Sequence, residues 1–254
     1  MERIKHILTS LKLNYKSWIF FLLVVYFLSD KNYLLALLNF IIFLFISYAI
    51  HFVVHMKSKD FFIYNIHTYH HNYSNWFSFY TELLFEFIFS TGFTFIKLFF
   101  QMFCQGECKI SSFSFLIDKI SIPLNLFICM IYISIHFINY SLFNVNNIHQ
   151  LHHKDVHTNY FPDICDIIFN TKYKIENTIE NTDHYIPNII ISYLIIALFI
   201  TIIKSSKNYK ETLSYFFIYF YIISLIVIYF SSIYIYNRML NKSLKKDYKK
   251  FCRL

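Results

Sequence analysis

Long apolar runs alternate with two polar stretches along this chain of 254 residues. The hydrocarbon core of a bilayer is about 30 Å thick, so a helix of roughly 20 apolar residues can cross it. Candidate runs occur at 17–29, 33–50, 80–104, 113–143, 188–203 and 213–236. The first is short for a full span, so the opening pair is expected to form a shallow or tilted hairpin. The pattern predicts an all-α protein, a polytopic transmembrane helical bundle with six crossings.

The polar stretches divide this single membrane domain (1–254) into successive segments. The predicted order is a first helical hairpin (17–50), a histidine-bearing stretch (51–78), a second pair of spans (80–143), another polar stretch (144–187), extra C-terminal spans (188–236) and a basic tail (237–254). The third apolar run contains Glu82 and Glu86, and carboxylates are costly in lipid. We therefore expect both at the membrane interface. The alternative is a place facing the bundle interior or an electron donor.

Composition also indicates a membrane protein. Apolar residues make up 57% of the chain and charged residues only 15%, against about 25% charged residues in soluble domains. The formal net charge is +8, but the basic residues flank apolar runs and fill the tail, where anionic cytosolic lipid attracts them. We therefore expect no nucleic-acid partner, and we expect both termini and both histidine-bearing stretches on the cytosolic side. Lys204, Lys207 and Lys210 conflict with this orientation, because they would lie on the opposite face.

Eight of the twelve histidines fall into three groups with the spacing of a helix face. They are His51 and His55, then His67, His70 and His71, then His149, His152 and His153. Side chains three or four residues apart lie on one face of a helix, so each group can present its imidazoles to one metal ion. Compositional bias would scatter histidines rather than repeat His-x-x-His-His. The sequence therefore predicts a metal site.

The number and type of ligands narrow the metal chemistry. Eight or more imidazoles are too many for one zinc ion and suit a two-metal site. Phe52 follows His51 at the place where a zinc protease needs its general-base glutamate. The cysteines form no Cys-x-x-Cys pair for a thiolate zinc site. Ligation by nitrogen alone is compatible with iron, which can activate dioxygen.

The order His-x3-His, His-x2-His-His and a distant His-x2-His-His resembles the fatty acid hydroxylase/sterol desaturase superfamily of integral membrane di-iron enzymes. The segment after the third group is similar to the family pattern, and the matching positions are Asn159, Tyr160, Asp166, Phe169 and Thr171. His136, followed by Asn139, resembles an additional histidine on the helix before that group. The resemblance covers about 50–175.

The same segment departs from the family pattern at several positions. Phe161 stands where the family has Gly, Cys165 where it has Trp, and Asn170 where it has a second Gly. Tyr132 occupies one plausible position of a second histidine that some members carry before the third group. These departures concern the shape of the substrate pocket more than metal binding.

The resemblance implies a four-helix transmembrane scaffold under a cytosolic, histidine-rich metal-binding cap. Two iron ions, with zinc as a substitute, would be held by His51, His55, His67, His70, His71, His136, His149, His152 and His153. Further candidates for ligands or for partners of ligands are His157, Asp166, His184 and Asn159. We predict no catalytic residue beyond the ligands and no other cofactor site.

The implied activity is that of a membrane-bound oxidoreductase. It would use dioxygen and two electrons to hydroxylate or desaturate a lipid such as a fatty acyl, sphingoid or sterol substrate. A separate b-type cytochrome and its reductase would supply the electrons, and the endoplasmic reticulum is the expected location. Two alternatives stay open. One is a non-catalytic lipid-binding or scaffold relative, and the less favoured one is a membrane metal transporter, which needs more polar spans than these.

Overall fold

The computed structural model describes residues 2–29, 31–55, 62–73, 75–103, 121–174, 179–204 and 209–251. Within these residues the chain folds into helices, and no strand is present. The predicted all-α fold is therefore confirmed. The last residue of the predicted run at 80–104, residues 113–120 of the predicted run at 113–143, and Lys207 lie outside the described residues.

Ten α-helices follow one another in the described part of the chain. They are α1 (Glu2–Leu13), α2 (Tyr15–Leu28), α3 (Tyr33–Val54), α4 (Phe62–Asn72), α5 (Trp76–Phe103), α6 (Ile122–Ser134), α7 (Ile148–Lys154), α8 (Asp163–Phe169), α9 (Ile186–Lys204) and α10 (Tyr209–Phe251). A π-helical segment, Ile135–Leu142, continues α6, and a 3-10 turn, Thr182–Tyr185, leads into α9.

Short polar side chains set the ends of several helices. The side chain of Asn32 accepts a hydrogen bond from the backbone N–H of Leu35 at 3.0 Å and begins α3. Ser121 does the same for Leu124 at 3.2 Å and begins α6. Such caps satisfy backbone donors that the first helical turn leaves unpaired. Asn170 ends α8 in the left-handed conformation, with φ of 61°, which asparagine tolerates better than most residues.

Four helical segments in the described residues are long and apolar enough to cross a membrane. They are Tyr33–Val54, Ile122–Leu142, Thr182–Ile202 and Ser214–Arg238. Four of the six predicted runs coincide with these segments. The first predicted run falls in α2, which meets the test only together with α1, and the two are bent by 69° at their junction. The run at 80–104 falls in α5, which carries Glu82 and Glu86 and is not among the four.

Two apolar cores hold the helices together. One joins α2, α3, α6 and α9, and it buries Val25, Leu124 and Phe127 completely. The other joins α4, α5 and α10 around Tyr69 and Ile235. α8 packs beneath α1 and α3, so the segment after the third histidine group covers the end of α3. The histidine-bearing elements therefore meet at one end of the bundle.

Candidate metal centre

Four elements deliver nine imidazoles to one place. His51 lies in the last turn of α3, and His55 directly follows that helix. The other elements are α4 with its His-x-x-His-His group, the π-helical segment with His136, and α7 with the second His-x-x-His-His group. The nine are His51, His55, His67, His70, His71, His136, His149, His152 and His153. The structure brings all nine sequence-predicted histidines together, in two groups and a linking pair.

Site 1 consists of four buried histidines. One ring nitrogen from each of His51, His55, His67 and His152 lies within 4.8 Å of the others. The Nε2 atoms of His67 and His55 are 2.8 Å apart. The rings of His51 and His152 have centroids 4.7 Å apart. Ring nitrogens that converge in this way can share one metal ion.

Site 2 consists of His70, His136 and His149, which meet the same distance criterion. The Nε2 atoms of His136 and His149 are 3.1 Å apart. His136 is buried, whereas His70 and His149 are partly exposed. The π-helical geometry begins one residue before His136. Widened turns of this type recur at functional sites, and no feature of the sequence had predicted this one.

His71 and His153 link the two sites. The Nε2 atom of His71 lies 3.0 Å from that of His67 in site 1. The Nε2 atom of His153 lies 2.8 Å from that of His149 in site 2. The rings of His71 and His153 are themselves 4.2 Å apart. The nine imidazoles therefore form one continuous cluster with two centres.

Three of these rings are hydrogen-bonded through Nδ1 to buried oxygen atoms. Nδ1 of His67 donates to Oε1 of Glu82 at 2.5 Å, and Nδ1 of His136 donates to Oε1 of Glu86. Nδ1 of His152 donates to the carbonyl oxygen of Thr158 at 2.5 Å. A proton fixed on Nδ1 leaves the Nε2 lone pair free for a metal and orients the ring.

The expectation that Glu82 and Glu86 lie at the membrane interface is wrong. Both carboxylates are buried, and both face histidines inside the bundle. The hydrogen-bonded histidines offset the cost of burying a carboxylate. A signal was present in the sequence, because two glutamates one helical turn apart inside an apolar run share a helix face.

Asp166 organises the loop beside site 1. Its carboxylate accepts hydrogen bonds from the backbone N–H groups of Tyr160 at 2.8 Å and Phe161 at 2.9 Å, and from the hydroxyl of Thr171 at 2.7 Å. Burial raises the pKa of Asp166 to about 7, although these donors act in the opposite direction. The ring of Tyr160 in turn lies 5.9 Å from the ring of His51. Asp166 therefore acts on the site through the loop.

Asn159 also shapes this loop. It adopts the left-handed conformation with φ of 53°. Its side chain accepts a hydrogen bond from the backbone N–H of Tyr173 at 3.1 Å and donates to the carbonyl of Ile148 at 3.3 Å. These bonds connect the loop to α7. The neighbouring Thr158 carbonyl is thereby held against His152.

The two remaining candidate histidines belong to neither site. His157 is exposed. His184 accepts a hydrogen bond at Nδ1 from Asn139 at 2.9 Å, and its Nε2 donates to Glu180 at 3.1 Å. Glu180 also accepts from the hydroxyl of Tyr140 at 2.6 Å, and the ring of Tyr140 stacks on that of His149 at 5.4 Å. His184 therefore contributes to a polar network behind site 2.

The donor set fits metal ions. Both ring nitrogens of His51, together with Nε2 of His70, Nε2 of His152 and Nδ1 of His71, are buried without a hydrogen-bond partner among the described residues. An unpaired buried polar group costs about 1–3 kcal/mol, and a bound metal would remove that cost. Burial lowers the pKa of His152 to about 3 and that of His153 to about 4. Both imidazoles are therefore neutral at pH 7, which is the form that binds metals.

Two cavities adjoin the cluster. The membrane chamber encloses about 830 Å³ of empty space, its open part included, between α3, α5 and α6. Its walls are mainly apolar, with Ile46, Ile50 and Phe89 among them, and it reaches His51. A second cavity of about 450 Å³, its open part included, is called the polar chamber here because Asp163, Asp166 and Glu180 are among its lining residues.

Fold and site together define a helical membrane protein with a buried histidine cluster beside an apolar cavity. The sequence model of the fatty acid hydroxylase family matches residues 36–171, more than half of the chain. The chain therefore belongs to the fatty acid hydroxylase family, within the sterol desaturase/fatty acid hydroxylase superfamily. No curated protein and no solved structure matches it. The matched range contains all nine clustered histidines and ends before α9 and α10.

Proposed function

We propose that this protein is a di-iron oxidoreductase that hydroxylates or desaturates a membrane lipid with dioxygen and two electrons. The observation that carries the proposal is the position of His51. Its imidazole belongs to site 1 and also lines the membrane chamber. A lipid chain in that chamber would therefore lie against a nitrogen-ligated metal site.

The residues of the chain have separable roles in this proposal. Iron bound by the imidazoles would supply the activation of dioxygen and the attack on an unactivated C–H bond. Glu82, Glu86 and the Thr158 carbonyl hold protons on Nδ1 of three rings, so that the Nε2 atoms face inward. The apolar walls of the membrane chamber exclude water, which protects a reactive centre from side reactions.

The overall reaction balances in either outcome. In hydroxylation one oxygen atom of dioxygen enters a C–H bond, and the other leaves as water with two electrons and two protons. In desaturation two hydrogens leave adjacent carbons, and together with two electrons and two protons from the donor side they convert both oxygen atoms to water. Both start with removal of a hydrogen from carbon, so the position of the chain relative to the metals selects the product.

The length of the membrane chamber suits a long-chain lipid. Asn39 and His51 both line it, and twelve residues of α3 separate them. At the rise of an α-helix this corresponds to about 18 Å. The wall that α3 contributes therefore runs from the imidazoles toward the middle of the bundle over a distance comparable to the length of a long hydrocarbon chain.

The electron donor and the cellular location are part of the same proposal. We propose a separate b-type cytochrome with its reductase as the donor, acting at the cytosolic face of the endoplasmic reticulum. The excess of lysine and arginine in the chain supports this, because a net charge of +8 attracts an acidic partner. Copurification of oxidation activity with such a cytochrome would test it.

Metal content tests the function first. Elemental mass spectrometry of the detergent-purified protein should find about two iron atoms per chain, as expected for two nitrogen-ligated centres. The variant with His70→Ala and His152→Ala, one substitution in each site, should lose most of this metal. His157→Ala removes an exposed histidine outside both sites and should keep it.

The outcome separates the proposal from its alternatives. Iron at this level, followed by a dioxygen-dependent hydroxylated or desaturated lipid after reconstitution with a donor, supports the enzyme. A folded protein that holds no metal in either form contradicts it and favours a lipid-binding scaffold. Zinc at the same level supports the site, and exchange for iron under anaerobic conditions must then produce activity.

A further inference from the structure

The two chambers share two lining residues. His51 and Tyr132 line both the membrane chamber and the polar chamber. Site 1 adjoins the membrane chamber through His51 and His67, and site 2 adjoins the polar chamber through His136 and His149. A molecule that extended from one chamber into the other would therefore pass both imidazole groups.

The two chambers differ in the chemistry of their walls. The membrane chamber is lined mainly by aliphatic and phenylalanine side chains. The lining of the polar chamber includes Asp163, Asp166 and Glu180, and no lysine or arginine is among the described residues that line it. Lys172 pairs with Asp163, and Asp166 and Glu180 accept hydrogen bonds from other residues of the chain. The described lining therefore offers polar atoms to a small head but no lysine or arginine to pair with an anionic one.

The hydroxyl of Tyr132 is available at the junction. Tyr132 lies on α6 one turn before His136, and its ring lies 6.0 Å from the ring of Phe161. Its hydroxyl makes no hydrogen bond to any described residue. Most tyrosines that are largely enclosed find a partner for the hydroxyl. A polar group of a bound molecule at the crossing would supply that partner.

We propose that the substrate is an amphiphile with a small, uncharged head, that this head occupies the polar chamber, and that the hydroxyl of Tyr132 binds it between the two chambers. The chain then lies in the membrane chamber. The carbons next to the head are the ones that pass between site 1 and site 2. Oxidation therefore takes place close to the head and not at the far end of the chain.

This inference rests on the proposed function for its chemistry, but its geometry can be tested without turnover. Two long-chain primary alcohols serve as probes, one with a photoreactive diazirine next to the hydroxyl and its isomer with the diazirine at the chain end. Each is bound to the purified full-length protein under anaerobic conditions and irradiated. The labelled residues are then located by mass spectrometry.

The expected labels differ between the two probes. The head-side diazirine should label Ile148 and Phe161 in the polar chamber, and the chain-end diazirine should label Asn39 and Phe89 in the membrane chamber. The reverse pattern, equal labelling of both chambers by each probe, or labelling of neither chamber would overturn the proposal. A correct pattern in protein that oxidises no lipid would instead count against the proposed function alone.

A conservative substitution tests the junction. Tyr132→Phe keeps the ring and removes the hydroxyl, so the Kd of the long-chain alcohol should rise about fivefold. The Kd of an alkane of equal length should not change. Tyr193→Phe, at a partly buried tyrosine of α9 that lines neither chamber, is the matched control and should leave both values unchanged. Equal binding of the alcohol by Tyr132→Phe and the unsubstituted protein would contradict the role of the hydroxyl.

The lining of the polar chamber predicts a preference among heads. A long-chain alcohol should bind at least about tenfold more tightly than the fatty acid of the same length, because the described lining has no lysine or arginine to pair with the charge of the acid. Equal or tighter binding of the acid would overturn the assignment of an uncharged head.

Discussion

All four imidazoles of site 1 are buried, whereas only His136 is buried in site 2. Site 1 is held from behind by the carboxylate of Glu82 and the carbonyl of Thr158. Site 2 has Glu86 behind His136 and the stacked ring of Tyr140 against His149. The loop organised by Asp166 covers site 1. The imidazoles of site 1 are therefore more fully enclosed than those of site 2.

The two copies of the His-x-x-His-His motif therefore do not form two equivalent sites. Each His-x-x-His-His group divides its histidines between the two centres, because α4 and α7 both run between them. His67 belongs to site 1 and His70 to site 2, and in the other group His152 belongs to site 1 and His149 to site 2. We expect the more exposed site 2 to exchange metal faster than site 1.

The largest effects should come from removing one histidine of each site. A chelator should release metal from the unsubstituted protein in a fast and a slow phase, assigned to site 2 and site 1. His149→Ala should abolish the fast phase and His152→Ala the slow phase, each with loss of about half the bound metal, since each removes a ligand of one centre. Release kinetics followed by elemental analysis measure this. Identical loss from both variants would show that the nine imidazoles act as one site.

A smaller but still large effect is expected from Asp166→Ala. This change leaves the buried N–H groups of Tyr160 and Phe161 without their acceptor, which should lower the free energy of unfolding by about 3 kcal/mol. Because the loop holds His152, the slow phase of metal release should become faster while the fast phase stays unchanged. Thermal unfolding in detergent and chelator kinetics measure the two effects. Asp155→Ala, at a less buried position in the same connection, is the control. A uniform change in both phases would refute a local action on site 1.

Intermediate effects should follow from Glu82→Gln and Glu86→Gln. Each substitution removes the charge that favours a proton on Nδ1 of the partner histidine, and loss of such a partner lowers metal affinity by about tenfold. Glu82→Gln should act on site 1 and Glu86→Gln on site 2. Metal titration in competition with a coloured chelator measures the affinity of each site. Effects on the opposite site, or none on either, would break the assignment of one carboxylate to each centre.

The smallest effect should come from Tyr69→Phe. Arg238 of α10 donates a hydrogen bond to the hydroxyl of Tyr69 at 2.9 Å, and this contact holds α4, which serves both sites. Loss of the bond should reduce stability by about 1 kcal/mol and change both release phases equally. Thermal unfolding, with the exposed Tyr219→Phe of α10 as control, measures it. A change confined to one site would mean that α4 is held differently at its two ends.

Several parts of the fold and the site could be predicted from the sequence. The apolar runs predicted helices of spanning length, because a bilayer requires long apolar segments with internally satisfied backbone groups. The spacing of the histidines predicted shared helix faces, and the three groups plus His136 do converge. His184 and Asp166 were also singled out, but the structure places them in hydrogen-bond networks around the site and away from the two centres.

Other parts needed the tertiary structure for identifiable reasons. Glu82 and Glu86 were expected at the interface, because the cost of a carboxylate in lipid is visible in sequence and its histidine partner on another helix is not. The π-helical segment before His149 depends on packing rather than on local propensity. The place of Tyr132 in the lining of both cavities could not be predicted, because residues far apart in the chain form those cavities.

Hydrophobic length and helical spacing are local properties, so the amino-acid sequence was sufficient to predict a helical membrane protein with more imidazoles than one metal ion needs. The division of those imidazoles into two centres, the pairing of each carboxylate with its ring, and the residues shared by the two chambers could be established only from the tertiary structure. Those features depend on distances between residues far apart in the chain, and such distances are set by how α3, α4, α6 and α7 pack against one another.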